Sequence, residues 1–186
     1  MSQPEALSSE GTVVAVAADR GHRFSKPTRD RIVLLEGHGV EGDAHAGPFV
    51  RHRYLARRRP RVPNLRQVHL IPSELFRSLS EAGFAVAAGD LGENITTTGL
   101  DLERMPLGTL IEFGHMAMIE LTGLRTPCVL IDRNGPSIQM WGAGRGTVRR
   151  TGRGRRRRAG SAAVLPVSRL AGSVIASARP PASPSL

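Results

Sequence analysis

The sequence predicts a mainly β fold with few helices, of barrel or sandwich type. Short stretches of β-branched and apolar residues recur along the chain, and Gly and Pro punctuate the gaps between them. One stretch alone repeats its apolar residues convincingly at helical spacing. With 186 residues the chain has the size of one ordinary domain and can bury a core without disulfides.

Residues 1–11 are polar and read as a mobile N-terminus. Thr12–Ala17 (TVVAVA) and Ile32–Glu36 (IVLLE) read as strands, and a Gly-rich loop follows from Gly37 to Gly47. Arg51–Pro63 is a basic, proline-broken connection. Arg66–Ile71 (RQVHLI) alternates polar and apolar residues, as a half-buried strand does. Ser73–Ala82 is the helix: Leu75, Phe76, Leu79 and Ala82 share a face, and Gly83 is a natural stop. Gly89–Asn94 is a tight loop before Ile95–Thr98 (ITTT), a β-branched strand. Gly108–Phe113 and Met116–Leu121 flank Gly114 and His115 as a hairpin. Thr122–Cys128 is a loop, and Val129–Ile131 can open another strand. From about Asn134 to Gly160 the composition turns to Gly and Arg, followed by two short apolar stretches, Ala162–Val167 and Leu170–Ala178.

Charge and cysteine usage narrow the function classes. The formal net charge is +10, from 26 Lys+Arg against 16 Asp+Glu. Acidic and basic residues balance over residues 1–137, and the excess is ten arginines after position 137, where no acid occurs. The basicity therefore belongs to the C-terminal segment, and nucleic acid is expected only as a non-specific, salt-dependent partner of its Arg155–Arg158 run. A single cysteine excludes an intrachain disulfide and any zinc site that needs two or more cysteines. A lone thiol and the absence of a signal peptide or long apolar span suggest a cytoplasmic protein that does not engage a membrane.

Three clusters carry possible chemistry. In Gly39–Gly47 (GVEGDAHAG) the glycines let the backbone turn sharply, and Asp43 and His45, two apart, share one side of an extended chain. The plainer reading is a turn formed by Asp43. In Gly89–Asn94 (GDLGEN), Asp90 and Glu93 are placed to orient a neighbouring side chain, or merely to form another turn. In Gly123–Cys128 (GLRTPC), Pro127 fixes the approach to Cys128 and Arg125 is close enough to favour the thiolate, a soft metal ligand. A buried, inert cysteine is the alternative. A zinc set of His45, His52, His69 and Cys128 lacks the i, i+4 histidine spacing of helical zinc sites.

Taken together and in this order, these stretches resemble the MOSC family, named for the C-terminal domain of molybdenum cofactor sulfurases and including stand-alone bacterial proteins. The resemblance spans about residues 12–133. It rests on Ser25-Lys-Pro27, GVEGDAHAG (39–47), RQVHLI (66–71), GDLGENITTTGLDL (89–102), LGTLIEFG (107–114) and ELTGLRTPCVLID (120–132). It implies a β-barrel-like domain that binds the molybdenum cofactor (molybdopterin), with Cys128 as the metal's thiolate or as the carrier of a persulfide sulfur. It implies catalytic roles for Cys128, Asp43 and His45, and cofactor contacts from Lys26, Arg66, Asp90, Glu93, Asn94 and Arg125.

The activity implied is a molybdenum-dependent oxidoreductase that reduces N-hydroxylated small molecules with electrons from a separate donor protein. The alternative is a non-catalytic carrier of the cofactor or of sulfur, supplied by a sulfur donor. A homodimer is compatible with either. Pyridoxal phosphate is not expected within this chain: Lys26, the one lysine, sits before Pro27 in the MOSC-like stretch rather than in a recognisable site for that cofactor. Residues 134–186 depart from the family's usual ending. They resemble the product of a shifted reading frame in a GC-rich gene, which leaves the closing strands of the barrel in doubt.

Overall fold

The computed structural model describes residues 8–23, 25–50, 62–114, 117–124, 144–149, 162–166 and 173–177. Eleven strands and one helix occur among them. In chain order they are β1 (Ser8–Ala17), β2 (Thr28–Arg29), β3 (Arg31–Leu35), β4 (Gly39–Val40), β5 (Val68–Pro72), α1 (Glu74–Glu81), β6 (Ile95–Thr98), β7 (Leu110–Phe113), β8 (Ala117–Leu124), β9 (Gly144–Arg149), β10 (Ala162–Pro166) and β11 (Ser173–Ser177).

An eight-stranded sheet runs β11-β7-β8-β9-β5-β6-β1-β2, and β11 also pairs with β1. The order of hydrogen-bonded neighbours therefore returns to its start, giving a barrel-like sheet. β5 and β6 are parallel, with Leu70 opposite Ile95, and the other pairings are antiparallel. A second sheet, β10-β3-β4, carries the Gly-rich loop at the end of β4.

The strands read from the sequence are present among the described residues, with three differences. β8 runs on to Leu124, into the stretch read as a loop from Thr122, because Gly123 and Leu124 pair with Arg145 and Gly144 of β9. β1 begins at Ser8, inside the stretch expected to be mobile, because Ser8–Thr12 pair with Ser177–Ser173 of β11. The chain beyond residue 134, where closure was in doubt, supplies β9, β10 and β11, which pair with β5 and β8, with β3, and with β7 and β1. The reading of Val129–Ile131 as a strand lies outside the described residues.

Alternation explains how the sheet fills its interior. β8 reads buried and half-buried in turn from Ala117 to Gly123, the period-2 pattern of a strand with one face inward. Val13, Val16, Leu34, Val68, Leu70, Ile95, Ile111, Phe113 and Ile119 form the main core. Each such side chain contributes about 1.5–3 kcal/mol by leaving water. β5 is buried on both faces: Val68 and Leu70 enter that core, whereas Ile71 packs with Leu75, Leu79 and Leu91 beneath α1. His69 shares the second face with Ile71. α1 follows the apolar spacing of its sequence and buries Leu75 and Leu79.

Candidate functional site

The Gly-rich loop folds around Asp43. This is a turn rather than the extended arrangement that the two-residue spacing suggested. Asp43 N–H donates to Val40 O, Ala46 N–H donates to Asp43 O, and the Asp43 carboxylate accepts from His45 N–H at 2.9 Å. That contact from side chain to backbone two residues on is the local bond for which Asp is favoured in turns. Gly42 takes φ +73° here, a backbone conformation that side chains rarely adopt.

The same carboxylate gathers groups from three other places and from the ring of His45 in its own loop. Lys26 Nζ lies 2.9 Å from Oδ2 and 3.1 Å from Oδ1. Asn94 Nδ2 donates to Oδ2 at 3.0 Å, and Asp19 N–H donates to Oδ2 at 3.3 Å. His45 Nδ1 is 3.3 Å from Oδ1. The side chains of Lys26 and Asp43 are 1% and 0% exposed. Burial by itself would raise the Asp43 pKa. The bonds from His45 and the charge of Lys26 outweigh it and hold the carboxyl well below the usual carboxylate range. Asp43 is therefore a fixed anion at the centre of the cluster.

The loop Gly89–Asn94 is clamped to the same centre. Lys26 N–H donates to Gly89 O at 2.8 Å, and a Cβ at Gly89 would fall 2.1 Å from Lys26 O. Only glycine permits that approach. Glu93, fully buried, accepts from Gly89 N–H and from Thr96 Oγ1. Its Oε2 has no hydrogen-bond partner among the described residues. Asn94 joins β1 to β5: its side chain donates to Ala17 O and accepts from His69 N–H. Asp90 is exposed and accepts from Ala87 N–H, so it shapes its own turn.

Beside this cluster opens a cleft of about 310 Å³ lined by Arg20, His22, His38, Gly42, Asp43, Ala44 and Ala46. Three histidine rings from separate segments also stand in a row. His22 and His45 meet edge to face with centroids 5.9 Å apart, and His45 and His69 are tilted at 5.0 Å. His22 is exposed, the His45 side chain is 38% exposed and His69 is buried. Asn64 steadies the loop by donating to His45 O and Gly47 O.

The structure thus brings Lys26, Asp43, His45 and Asn94 into direct contact, with Glu93 holding the adjoining loop. Arg66 is exposed, and its backbone N–H donates to Asn64 Oδ1. Cys128 and Arg125 lie outside the described residues, as do His52 and the Arg57–Arg61 run. Leu124, the last described residue before Arg125, pairs with Gly144 of β9, which in turn pairs with Leu70 of β5. Among the described residues no group of three or more His, Cys, Asp or Glu is arranged to hold a metal ion. No helix among them is long and apolar enough to cross a membrane.

Sequence reasoning missed Arg20, His22, His38 and Asn64. Arg20 and His22 come three and five residues after the end of β1, on either side of Gly21, and that position past a strand end was the one available signal. The donor set fits the cofactor that the resemblance implies. Arg20 offers a guanidinium, His22 and His38 offer imidazoles, and the position facing Gly42 is open apart from Arg20 Nε at 3.7 Å. Such a wall suits a phosphate and the polar edge of a pterin. Lys26, bonded to Asp43, does not line this cleft.

Solved structures share the fold. The YuaD protein from Bacillus subtilis superposes with a TM-score of 0.71 at 18% identity, covering 94% of this chain and 100% of that one. YiiM from Geobacillus stearothermophilus gives 0.58 at 16% identity, covering 91% and 75%. A third crystal structure, described as a hypothetical protein, gives 0.58 at 18%, covering 95% and 70%. No curated protein matches the sequence. The MOSC domain profile matches residues 42–166 and so takes in Asp43, His45, the GDLGEN loop, Cys128 and, within the stretch after residue 134, β9, the arginine run and β10. On that match, which covers more than half of the sequence, the chain belongs to the MOSC domain family.

Proposed function

We infer that this protein binds a molybdenum cofactor, with Cys128 as the thiolate ligand of the metal, and reduces N-hydroxylated small molecules with electrons from a separate reductase. The observation that carries this reading is the convergence on Asp43. Three stretches distant in sequence, SKP, GVEGDAHAG and GDLGEN, meet at one buried carboxylate beside a cleft. A buried ion pair is weak evidence for stability in itself. This one sits where a pocket opens, and perturbed groups in clefts cluster at functional sites.

The cofactor, when bound, supplies two-electron oxygen-atom chemistry. The chain's own residues do the rest. Arg20, His22 and His38 present donors to the anionic and polar parts of a ligand in the cleft. Asp43 fixes the loop that carries His45, and Asn64 and Asn94 hold that loop against β1 and β5. Arg66 and Arg125 are assigned to the cofactor's periphery, Asp90 and Glu93 to the shape of the supporting loop. We place the protein in the cytoplasm, where a reduced Cys128 is kept available.

A carrier of the cofactor or of a Cys128 persulfide is the second reading. The cleft favours it in one respect: about 310 Å³ is at the low end for small-molecule sites. Metal and pterin analysis of the purified protein, wild type beside Cys128→Ser, separates the readings. Molybdenum and pterin present in the wild type and lost in the variant, with turnover of an N-hydroxylated base by the wild type plus reductase, supports the enzyme. Binding without turnover supports the carrier. A wild type expressed with cofactor supply that holds neither molybdenum nor pterin overturns both cofactor readings.

A further inference from the structure

We propose that the cleft is a proton-coupled oxyanion site: it takes a tetrahedral dianion such as a phosphate monoester, and His22 and His38 gain protons as the ligand enters. This rests on the reading above in one respect, that an anion occupies the cleft. Molybdenum and Cys128 play no part in it. The wall holds one permanent cation. Arg20 is charged at every accessible pH, is exposed, and has no carboxylate partner among the described residues. The carboxylate in the wall, Asp43, is already matched by Lys26 at 2.9 Å. Close by in the chain, Asp19 and Arg23 form a pair of their own. With both imidazoles neutral, Arg20 is therefore the one uncompensated charge of the lining.

His22 and His38 are the variable part. They reach the cleft from the β1–β2 and β3–β4 connections, His22 exposed and His38 half-buried. The His22 ring packs against the ring of His45, and no side-chain hydrogen bond holds His22 or His38 among the described residues. Their nitrogens are thus open to a ligand. A neutral imidazole offers one donor and one acceptor, whereas a charged one offers two donors. A dianionic oxyanion only accepts, so it favours the charged form. Imidazoles gain charge between about pH 8 and pH 5, and entry of a dianion near neutral pH draws protons onto them.

The groups around the two rings make the coupling strong. They are Arg20, Asp43 with Lys26 behind it, and the ring of His45, whose Nδ1 already faces Asp43 at 3.3 Å. In the free protein Arg20 opposes further positive charge beside it, and a bound dianion reverses that opposition. The position facing Gly42 is open apart from Arg20 Nε at 3.7 Å, so the ligand can approach the guanidinium there. At contact distance in a wet cleft, each added charge is worth about tenfold in affinity for a dianion.

Isothermal titration calorimetry of the full chain purified without cofactor tests this, with sulfate and phenyl phosphate as probes. Sulfate stays dianionic across the range, so protons counted from two buffers of different ionisation enthalpy belong to the protein. Proton uptake near neutral pH is expected, with sulfate affinity rising about a hundredfold from about pH 8 to about pH 5.5. Phenyl phosphate itself loses charge below about pH 6 and should bind best near that value. Arg20→Gln should lose about tenfold at every pH with the slope unchanged. His22→Gln and His38→Gln should each flatten the pH dependence, and the double variant should abolish it. These side chains are exposed or half-buried, so the variants keep the fold. No proton uptake, an affinity flat with pH, or a pH dependence that survives in the double variant overturns the proposal. So does a wild type that binds neither probe at about pH 5.5. Proton-linked binding by a protein that never acquires molybdenum supports this inference and removes the cofactor reading instead.

Discussion

Removing Asp43 should cost far more than removing its partner Lys26, although the two form one ion pair. The asymmetry follows from what each leaves behind. Asp43→Ala removes the carboxylate that faces a buried ammonium, which costs about 3–5 kcal/mol. It also takes one acceptor from the Asn94 amide, which keeps Ala17 O, and the acceptor of the His45 N–H, at about 1 kcal/mol each. The total is about 5–7 kcal/mol. Lys26→Met removes a side chain of similar length and leaves a carboxylate that still accepts from His45, Asn94 and Asp19. Its cost should be about 2–3 kcal/mol, less than for an ion stripped of all partners.

In the Lys26→Met background, Asp43→Ala should cost about 3 kcal/mol less than in the wild type, since the ammonium that faces it is already gone. Urea unfolding followed by far-ultraviolet circular dichroism gives the four stabilities. Domains typically have about 5–15 kcal/mol in total, so Asp43→Asn serves in place of Asp43→Ala if the latter does not fold. Equal costs for the two single variants, or a coupling below about 1 kcal/mol, would refute the view of Asp43 as the hub.

Other consequences are open to simpler measurements. Lys26 is the chain's one lysine and is buried, so an amine-reactive reagent should label only the α-amine of the native protein and gain a second site in urea. The Asp43 pKa is lower in the folded than in the unfolded chain. Its contribution to stability is thus present above the unfolded value of about 3.9 and lost as pH falls below it. The urea midpoint should decline in that acidic range, less steeply in Asp43→Asn. Glu93→Gln should stay within about 1 kcal/mol of wild type in thermal melts, because it keeps the acceptor used by Gly89 and Thr96. Gly89→Ala should be severely destabilised. Its left-handed backbone costs about 1–2 kcal/mol with a side chain, and the clash with Lys26 O adds to that.

The sequence revealed those parts of the structure that have a local cause. ITTT at 95–98 and IVLLE at 32–36 became strands because β-branched residues fit a pleated, half-buried surface. The helix lies within the stretch set by Leu75 and Leu79. β9 (GRGTVR) was not legible, since Gly and Arg carry no strand signature. Its strand state is set by β5 and β8, which it bridges. The site divides in the same way. Asp43 and His45 stood out by their loop, whereas His22 and Asn64 reach them only through folding from 23 and 19 residues away in the chain. Lys26 was expected to face a ligand. Its burial against Asp43 depends on the tight packing of Gly89, which no local pattern announces.

The pairing of Ser8–Thr12 with Ser173–Ser177 makes neighbours of the first and last of the described strands. During synthesis β1 must wait, with an open edge, until Ser173–Ser177 leave the ribosome. Non-local pairing of this kind slows folding, and an edge left waiting invites pairing with other chains. Expression at low temperature or with a chaperone should therefore raise the soluble yield more than substitutions in the core would. A circular permutant joining residue 177 to residue 8 by a short linker should fold faster than the parent chain.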